Sequence, residues 1–244
     1  AHRAIGDIKQ AGFERFNLDL MWALPGQDVE QALDDLDQAL AFEPEHLSHY
    51  QLTLEPNTVF AVHPPRLPDD DTVIELQDFC AERLARAGFE NYEISAWSQP
   101  GRASRHNLNY WHFGDYLGIG AGAHGKLTLP AEGCVRRTRR KSHPRPYLNA
   151  LETGAFIAED WRVPDAQLAF EYFLNRTRLT STIDLAEFEQ RTGLPIDSIR
   201  KPLDRALELG LFKSGASDKT LQRTDLGRNY LNDLQALFLS DSNS

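Results

Sequence analysis

The sequence has little cysteine. Two residues, Cys80 and Cys134, occur among 244. They lie too far apart to form a short Cys-x-x-Cys pair, and two thiols make no disulfide framework, so a disulfide-rich secreted scaffold is excluded. No apolar run approaches the ~20 residues a membrane-spanning helix requires. No charged-then-apolar leader precedes a cleavage site, so no secretory signal is expected. The opening Ala1-His2-Arg3-Ala4 reads as helix interior and lacks an initiator Met, which suggests a chain beginning inside a longer one. A nucleophile elbow, a P-loop and a zinc pair are all missing. Together these absences point to a cytoplasmic protein of reducing surroundings.

Net positive charge is also missing. The formal net charge is −10, which argues against general nucleic-acid binding. The imbalance is concentrated at the front, where residues 1–131 hold 9 Lys/Arg against 20 Asp/Glu. Residues 132–145 reverse it, with Arg136, Arg137, Arg139, Arg140, Lys141 and Arg145 against Glu132 alone. Such a run is either a solvated surface strand or a site for propionates, phosphates or an acidic partner.

With 41% hydrophobic and 25% charged residues the chain can bury a core. Gly12 is placed to stop a first helix. Phe16 to Trp22 reads as a buried strand before Pro25-Gly26. Residues 28–42 carry a helical apolar stripe, His46 to Glu55 a second strand, and Asp69-Asp70-Asp71 opens a helix running to Gly88. Asn91 to Trp97 reads as a third strand. Strand, helix, strand, helix, strand indicates βα units around a parallel sheet, too few for a closed eight-stranded barrel. After residue 160 the pattern changes. It predicts helices over 165–176, from the cap Asp184 to Gly193, over 196–209 and over 225–239. A small β-wing spans 211–223, and a frayed tail closes the chain at Ser240–Ser244. The layout is winged-helix-like. Its balanced charge favours a packing module over a DNA reader.

Chemistry concentrates in His106-Asn107-Leu108-Asn109-Tyr110-Trp111 and in the glycine-rich run Gly118 to Gly125, which includes His124. An imidazole at His106 can serve as an axial ligand to haem iron, with Asn107, Tyr110 and Trp111 beside the macrocycle. A hydrogen-bonding or exposed histidine is the plainer alternative. The bare backbone of the glycine run allows close approach of a flat ligand. Asp19 stands in an otherwise apolar strand, where a carboxylate needs a partner. It either accepts from a ribose diol or caps the Pro25-Gly26-Gln27 turn. Thr53 offers a hydroxyl to a ligand, and Glu55 holds the loop that follows.

Several segments together resemble one family. Asp19-Leu20-Met21-Trp22-Ala23-Leu24-Pro25-Gly26-Gln27, His46-Leu47-Ser48-His49-Tyr50-Gln51-Leu52-Thr53-Leu54-Glu55, Tyr92-Glu93-Ile94-Ser95, His106–Trp111 and Gly118–Gly125 are similar to radical S-adenosylmethionine (SAM) proteins related to oxygen-independent coproporphyrinogen III oxidase. The His-Asn-x-x-Tyr-Trp and Gly-Ile-Gly-x-Gly-Ala-His-Gly matches favour the branch of haem chaperones, the HemW family. Phe170 to Arg176 and Leu226-Gly227-Arg228 resemble its C-terminal domain.

The resemblance implies an α/β fold, the C-terminal part of a partial (β/α)6 radical SAM barrel followed by a small winged-helix-like C-terminal domain. Residues 1–125 would be barrel with the ligand segment, 126–160 a basic strand or linker, and 161–244 the C-terminal domain. It implies SAM and a [4Fe-4S] cluster in the intact protein, and haem delivered to client haemoproteins, with transient membrane association as a further implication. Asp19, Met21, Thr53 and His124 would bind SAM, and His106 with Asn107, Tyr110 and Trp111 would bind haem. The family's three-cysteine cluster motif is absent, so this chain would hold no metal for the cluster. Ala23 replaces a usual glycine. The second function compatible with the resemblance is a porphyrin-biosynthesis enzyme that decarboxylates coproporphyrinogen propionates. Half a barrel would leave one strand edge unpaired.

Overall fold

A computed structural model of the chain describes residues 2–217 and 219–239. The expected frayed tail, Ser240–Ser244, lies outside the described residues, as does Ala1. The chain divides into two compact units, residues 1–104 and 105–244. The domain divisions at 125 and 160 expected above remain a proposal.

In the first unit, α1 (His2–Gln10) leads to β1 (Asn17–Trp22), α2 (Val29–Leu40) and β2 (His46–Gln51). A short α3 (Val59–Val62) and the long α4 (Asp70–Arg86) precede β3 (Glu90–Glu93) and β4 (Ala96–Ser98). Local chemistry sets the helix starts. Asp28 and Gln31 close a capping box on α2, and Asp69 caps α4. Leu36, Leu47, Leu76 and Leu84 are fully buried between α2, α4 and one face of the sheet.

Sheet order is β1-β2-β4-β3, with β1 and β2 parallel and the other pairs antiparallel. The single third strand expected over Asn91–Trp97 is therefore corrected to a hairpin. The Glu93 carboxylate accepts from the Ser95 amide (3.1 Å) and hydroxyl (3.0 Å), and the Asn91 side chain donates to the Glu93 and Ala96 carbonyls. These bonds reverse the chain at Ile94-Ser95. The second strand is also shorter than expected, ending at Gln51 rather than Glu55. Strand β1 pairs only with β2 among the described residues, so its outer edge is open.

The second unit begins with α5 (Arg105–Trp111) and a sheet of β5 (His124–Leu129), β6 (Cys134–Arg140) and β7 (Ile157–Arg162), with α6 (Pro144–Asn149) before β7. Then come α7 (Asp165–Arg176), β8 (Ile183–Asp184), α8 (Leu185–Thr192), α9 (Arg200–Glu208), β9 (Phe212–Ser214), β10 (Thr220–Arg223), α10 (Asp225–Asn229) and α11 (Leu231–Ala236). Asp184 caps α8, and Gly193 ends it in a left-handed conformation at φ 74°. An aromatic core of Tyr172, Phe173, Phe188, Phe212 and Phe238 holds these helices together, with Phe173 stacked on Phe238 at 3.7 Å.

Two expected helices are revised. The segment expected to be helical from 196 to 209 opens as a 3-10 turn, Ile196–Ile199, and becomes α-helix only at Arg200. Pro202 has no N–H to donate and is tolerated in a first turn, not in an interior. The last helix breaks at Tyr230, whose φ −109° and ψ 44° are not helical.

Candidate functional site

Alternation along β1 and β2 gives the first sheet two chemically different faces. Leu18, Leu20, Trp22, Leu47 and Trp97 pack toward the helices. Asn17, Asp19 and Met21 take the other face, with His46, Ser48 and Tyr50 beside them in register. This second face carries a connected polar network. Asn17 Nδ2 donates to Asp19 Oδ1 at 2.7 Å, and His46 Nδ1 donates to Asn17 Oδ1 at 2.6 Å. Ser48 Oγ donates to the same Asn17 oxygen at 3.2 Å, and His46 Nε2 lies 2.7 Å from the Tyr92 hydroxyl. Burial holds the His46 pKa below its ordinary value, against the opposing pull of the nearby Glu93 and Asp19 charges.

Asp19 is exposed, not buried in an apolar strand. Nor does it cap the Pro25-Gly26 turn. Gln27 does so, accepting from the Leu24 amide at 3.1 Å and donating to Asp35 at 3.0 Å. Met21 shares the Asp19 face and stands beside Tyr50. Thr53 lies beyond the end of β2, exposed, its hydroxyl donating to Glu55 Oε1 at 3.0 Å. The Glu55 side chain thereby closes a two-residue turn.

In the second unit, the segment His106–Trp111 is helical, which places His106 and Tyr110 one turn apart on one face. Their rings meet edge-on at 4.8 Å, and Tyr110 continues to Tyr116 at 4.4 Å. His106 is exposed. Asn107 and Trp111 occupy the neighbouring face, and Trp111 lies beneath the Arg178 guanidinium at 4.4 Å. The four residues thus fall into two pairs on adjacent faces. His112, given no role from sequence, binds Glu187 Oε1 through Nδ1 at 2.8 Å. Glu187 Oε2 accepts from Arg176 Nε at 3.1 Å and from the Tyr172 hydroxyl at 3.3 Å. This cluster ties the turn after α5 to α7 and α8.

The glycine run is tightly packed within its own unit. A Cβ on Gly118 would collide with the His124 carbonyl, and one on Gly125 would sit 2.7 Å from Thr138 Oγ1. Two of its glycines are therefore required by the packing of the unit, Gly118 by a backbone carbonyl and Gly125 by a side chain. A methyl at Gly118 would force β5 away at His124, at a cost of about 3 kcal/mol. We expect Gly118→Ala to lower the urea midpoint with an unchanged m-value, and an unchanged midpoint would refute the collision. His124 itself is exposed at the start of β5. Lys126, one residue past the run, is buried. Its ammonium donates to the Phe113 carbonyl, Asp115 and Thr128 and lies 4.0 Å from the Phe113 ring centroid.

The basic run on β6 is paired from within. Arg136 grips Asp160 with two bonds (2.6 and 2.8 Å), Arg137 grips Glu171 (3.0 and 2.6 Å), Arg139 pairs with Glu159, and Arg140 donates to the Gly118 carbonyl. Carboxylates on β7 and α7 neutralise three of these arginines, so the solvated-strand reading is favoured over an open anion site.

Neither cysteine suits a metal. Both are buried, and burial raises the Cys80 thiol to about 11. No group of three or more His, Cys, Asp or Glu side chains could hold a metal ion among the described residues. No helix among them is long and apolar enough to cross a membrane.

Sequence reading missed His46, Asn17, Ser48 and Tyr92, and also Glu187. The polar residues at 17, 19, 46 and 48 were a period-two signal in both strands. Glu187 had no comparable signature, because its partners lie 11 to 75 residues away.

Comparison with known proteins agrees with this architecture. Residues 163–228 match the HemN C-terminal domain. The chain is 44% identical over 241 residues to the heme chaperone HemW of Haemophilus influenzae, covering 99% of this chain and 61% of that one. The Escherichia coli heme chaperone HemW is likewise 44% identical, with 99% and 62% covered. Among solved structures, the coproporphyrinogen III oxidase HemN from Escherichia coli, described as a radical SAM enzyme, superposes with a TM-score of 0.72. That likeness covers 97% of this chain and 57% of the other at 17% identity, and it speaks to the fold alone. The chain spans about three fifths of the length of these HemW relatives. Over the length that it spans, the chain is similar to these HemW proteins, and its residues 163–228 match the HemN C-terminal domain.

Proposed function

We propose that the protein is a haem chaperone of the radical SAM type, which binds haem and delivers it to client haemoproteins. The observation that carries this reading is the 44% identity to HemW proteins across nearly the whole chain, combined with an exposed imidazole, His106, set against Tyr110 on α5. An exposed imidazole with an aromatic neighbour can ligate haem iron axially while the ring packs on the macrocycle. Asn107 and Trp111, on the adjacent face, would extend that contact.

In this reading residues 1–125 are the C-terminal part of a partial (β/α)6 barrel with the ligand segment, 126–160 a basic strand or linker, and 161–244 a winged-helix-like packing module. Asp19, Met21 and Thr53 in the first unit contact SAM. The exposed Asp19 carboxylate fits a ribose diol, since it can accept two hydrogen bonds. When bound, SAM with a reduced cluster supplies radical chemistry. The thiols of this chain do not fit a [4Fe-4S] cluster, because they are two, buried and in separate units. Cluster ligands would have to come from elsewhere in the protein. We further propose a cytoplasmic location and transient contact with membranes during delivery.

Haem titration tests the main reading. We expect His106→Ala to weaken haem binding at least about tenfold, roughly 1.4 kcal/mol, and to shift the Soret band. An unchanged affinity and spectrum would remove His106 from the account. Turnover of coproporphyrinogen III by the cluster-loaded protein would instead favour the oxidase-like enzyme.

A further inference from the structure

The polar face of the first sheet contains more than an acid. We infer that Tyr92, His46 and Asn17 form a directed hydrogen-bond chain that holds the Asp19 carboxylate in a fixed orientation toward a nucleoside diol. The inference rests on the proposed role of Asp19 and extends it to three positioning residues.

Direction follows from the donor inventory. Asn17 Oδ1 can only accept, and it receives His46 Nδ1 at 2.6 Å and Ser48 Oγ at 3.2 Å. The Asp19 carboxylate can only accept, and this fixes which end of the amide is which. The Nδ2 end therefore faces Asp19 and donates to Oδ1 at 2.7 Å. Because His46 Nδ1 carries its proton, Nε2 of the neutral ring is an acceptor, and the Tyr92 hydroxyl at 2.7 Å is its donor. Each group donates to the next, from Tyr92 to His46 to Asn17 to Asp19, and aligned donors of this kind polarise one another.

Placement supports the same role. His46 is buried, at 7% exposure, whereas Asn17 and Asp19 are exposed. The chain thus runs from an anchored end to an open one. It occupies Asp19 Oδ1 and leaves Oδ2 without a protein donor among the described residues. A carboxylate pinned through one oxygen retains acceptor capacity for two vicinal hydroxyls and loses little rotamer freedom on binding them. Tyr92 lies outside the hydrophobic cluster of the helix-facing side, so removing its hydroxyl does not open that core.

The test uses S-adenosylmethionine binding by calorimetry, together with the His46 tautomer read from ¹⁵N NMR. Asp19→Asn should weaken binding strongly. Asn17→Val, a good strand former at an exposed site, should weaken it about tenfold, and Tyr92→Phe about threefold, each measured well below the unfolding midpoint of that variant. His46 should carry its proton on Nδ1 in the wild type and lose that preference in Asn17→Val. If Asp19→Asn leaves affinity unchanged, the nucleoside role of Asp19 falls and the chain with it. If Asp19→Asn weakens binding while Asn17→Val and Tyr92→Phe do not, the chain alone is overturned. An Nε2-protonated His46 in the wild type also overturns it, whatever the variants do.

Discussion

Replacing Glu187 by alanine should destabilise the second unit by about 3–5 kcal/mol, the cost of leaving a buried charge without its partner. The charge is Arg176, whose side chain is only 2% exposed. Its Nε donates to Glu187, and its other nitrogens donate to the Ser181 and Thr182 carbonyls. Glu187 is the group's only carboxylate partner among the described residues. Burial opposes ionisation of Glu187, but the His112 hydrogen bond and the Arg176 charge outweigh it and hold the carboxyl below the usual glutamate range. Native-state hydrogen exchange of α7 and α8 amides measures the loss. Glu187→Gln keeps an acceptor for Arg176 and should lose less. The alanine variant should also free His112 and raise exchange in α5, the helix that carries His106. If α7 and α8 stay fully protected in Glu187→Ala, the buried pair contributes little and the account is wrong.

The second large effect is a pH dependence centred on His49. Its ring stacks on Trp22 at 5.8 Å, it is 7% exposed, and its Nε2 finds no hydrogen-bond partner among the described residues. Burial pushes its pKa down from 6.5 to about 4. The unfolded chain therefore binds a proton at this position between those values while the folded chain does not, so stability rises with pH across the window. The contribution is complete above about pH 6.5 and lost as pH falls toward 4. Its size is about 3 kcal/mol from the pKa difference. Carboxylates also titrate below pH 5, so the difference between wild type and His49→Phe isolates it. Phenylalanine retains the stacking and cannot be protonated. Parallel stability curves for the two proteins from pH 7 to 4 would contradict the assignment.

Neither of these groups could be read in advance. The helices capped by Asp28, Asp69 and Asp184 were legible, because a cap, an apolar period and a stop lie within a few residues of one another. The strands Asn17–Trp22 and His46–Gln51 were legible for the same reason. The hairpin after Glu90 was not. Its reversal depends on the Glu93 carboxylate turning back onto Ser95, and composition alone makes that stretch look continuous. The arginine run was equally ambiguous until β7 supplied Asp160 and Glu159 opposite it.

The sequence by itself determined the local elements, the family motifs and the candidate residues Asp19, Met21, Thr53, His106, Asn107, Tyr110, Trp111 and His124. Tertiary structure alone decided that Asn17 is held by His46 and Ser48 of the neighbouring strand, that Gly125 is packed against Thr138, and that Glu187 carries the burden of Arg176. The physical reason is range. Capping and periodicity act over a turn or two of chain, whereas the partner of a charge or the neighbour of a backbone carbonyl is chosen by packing between residues that are remote in sequence.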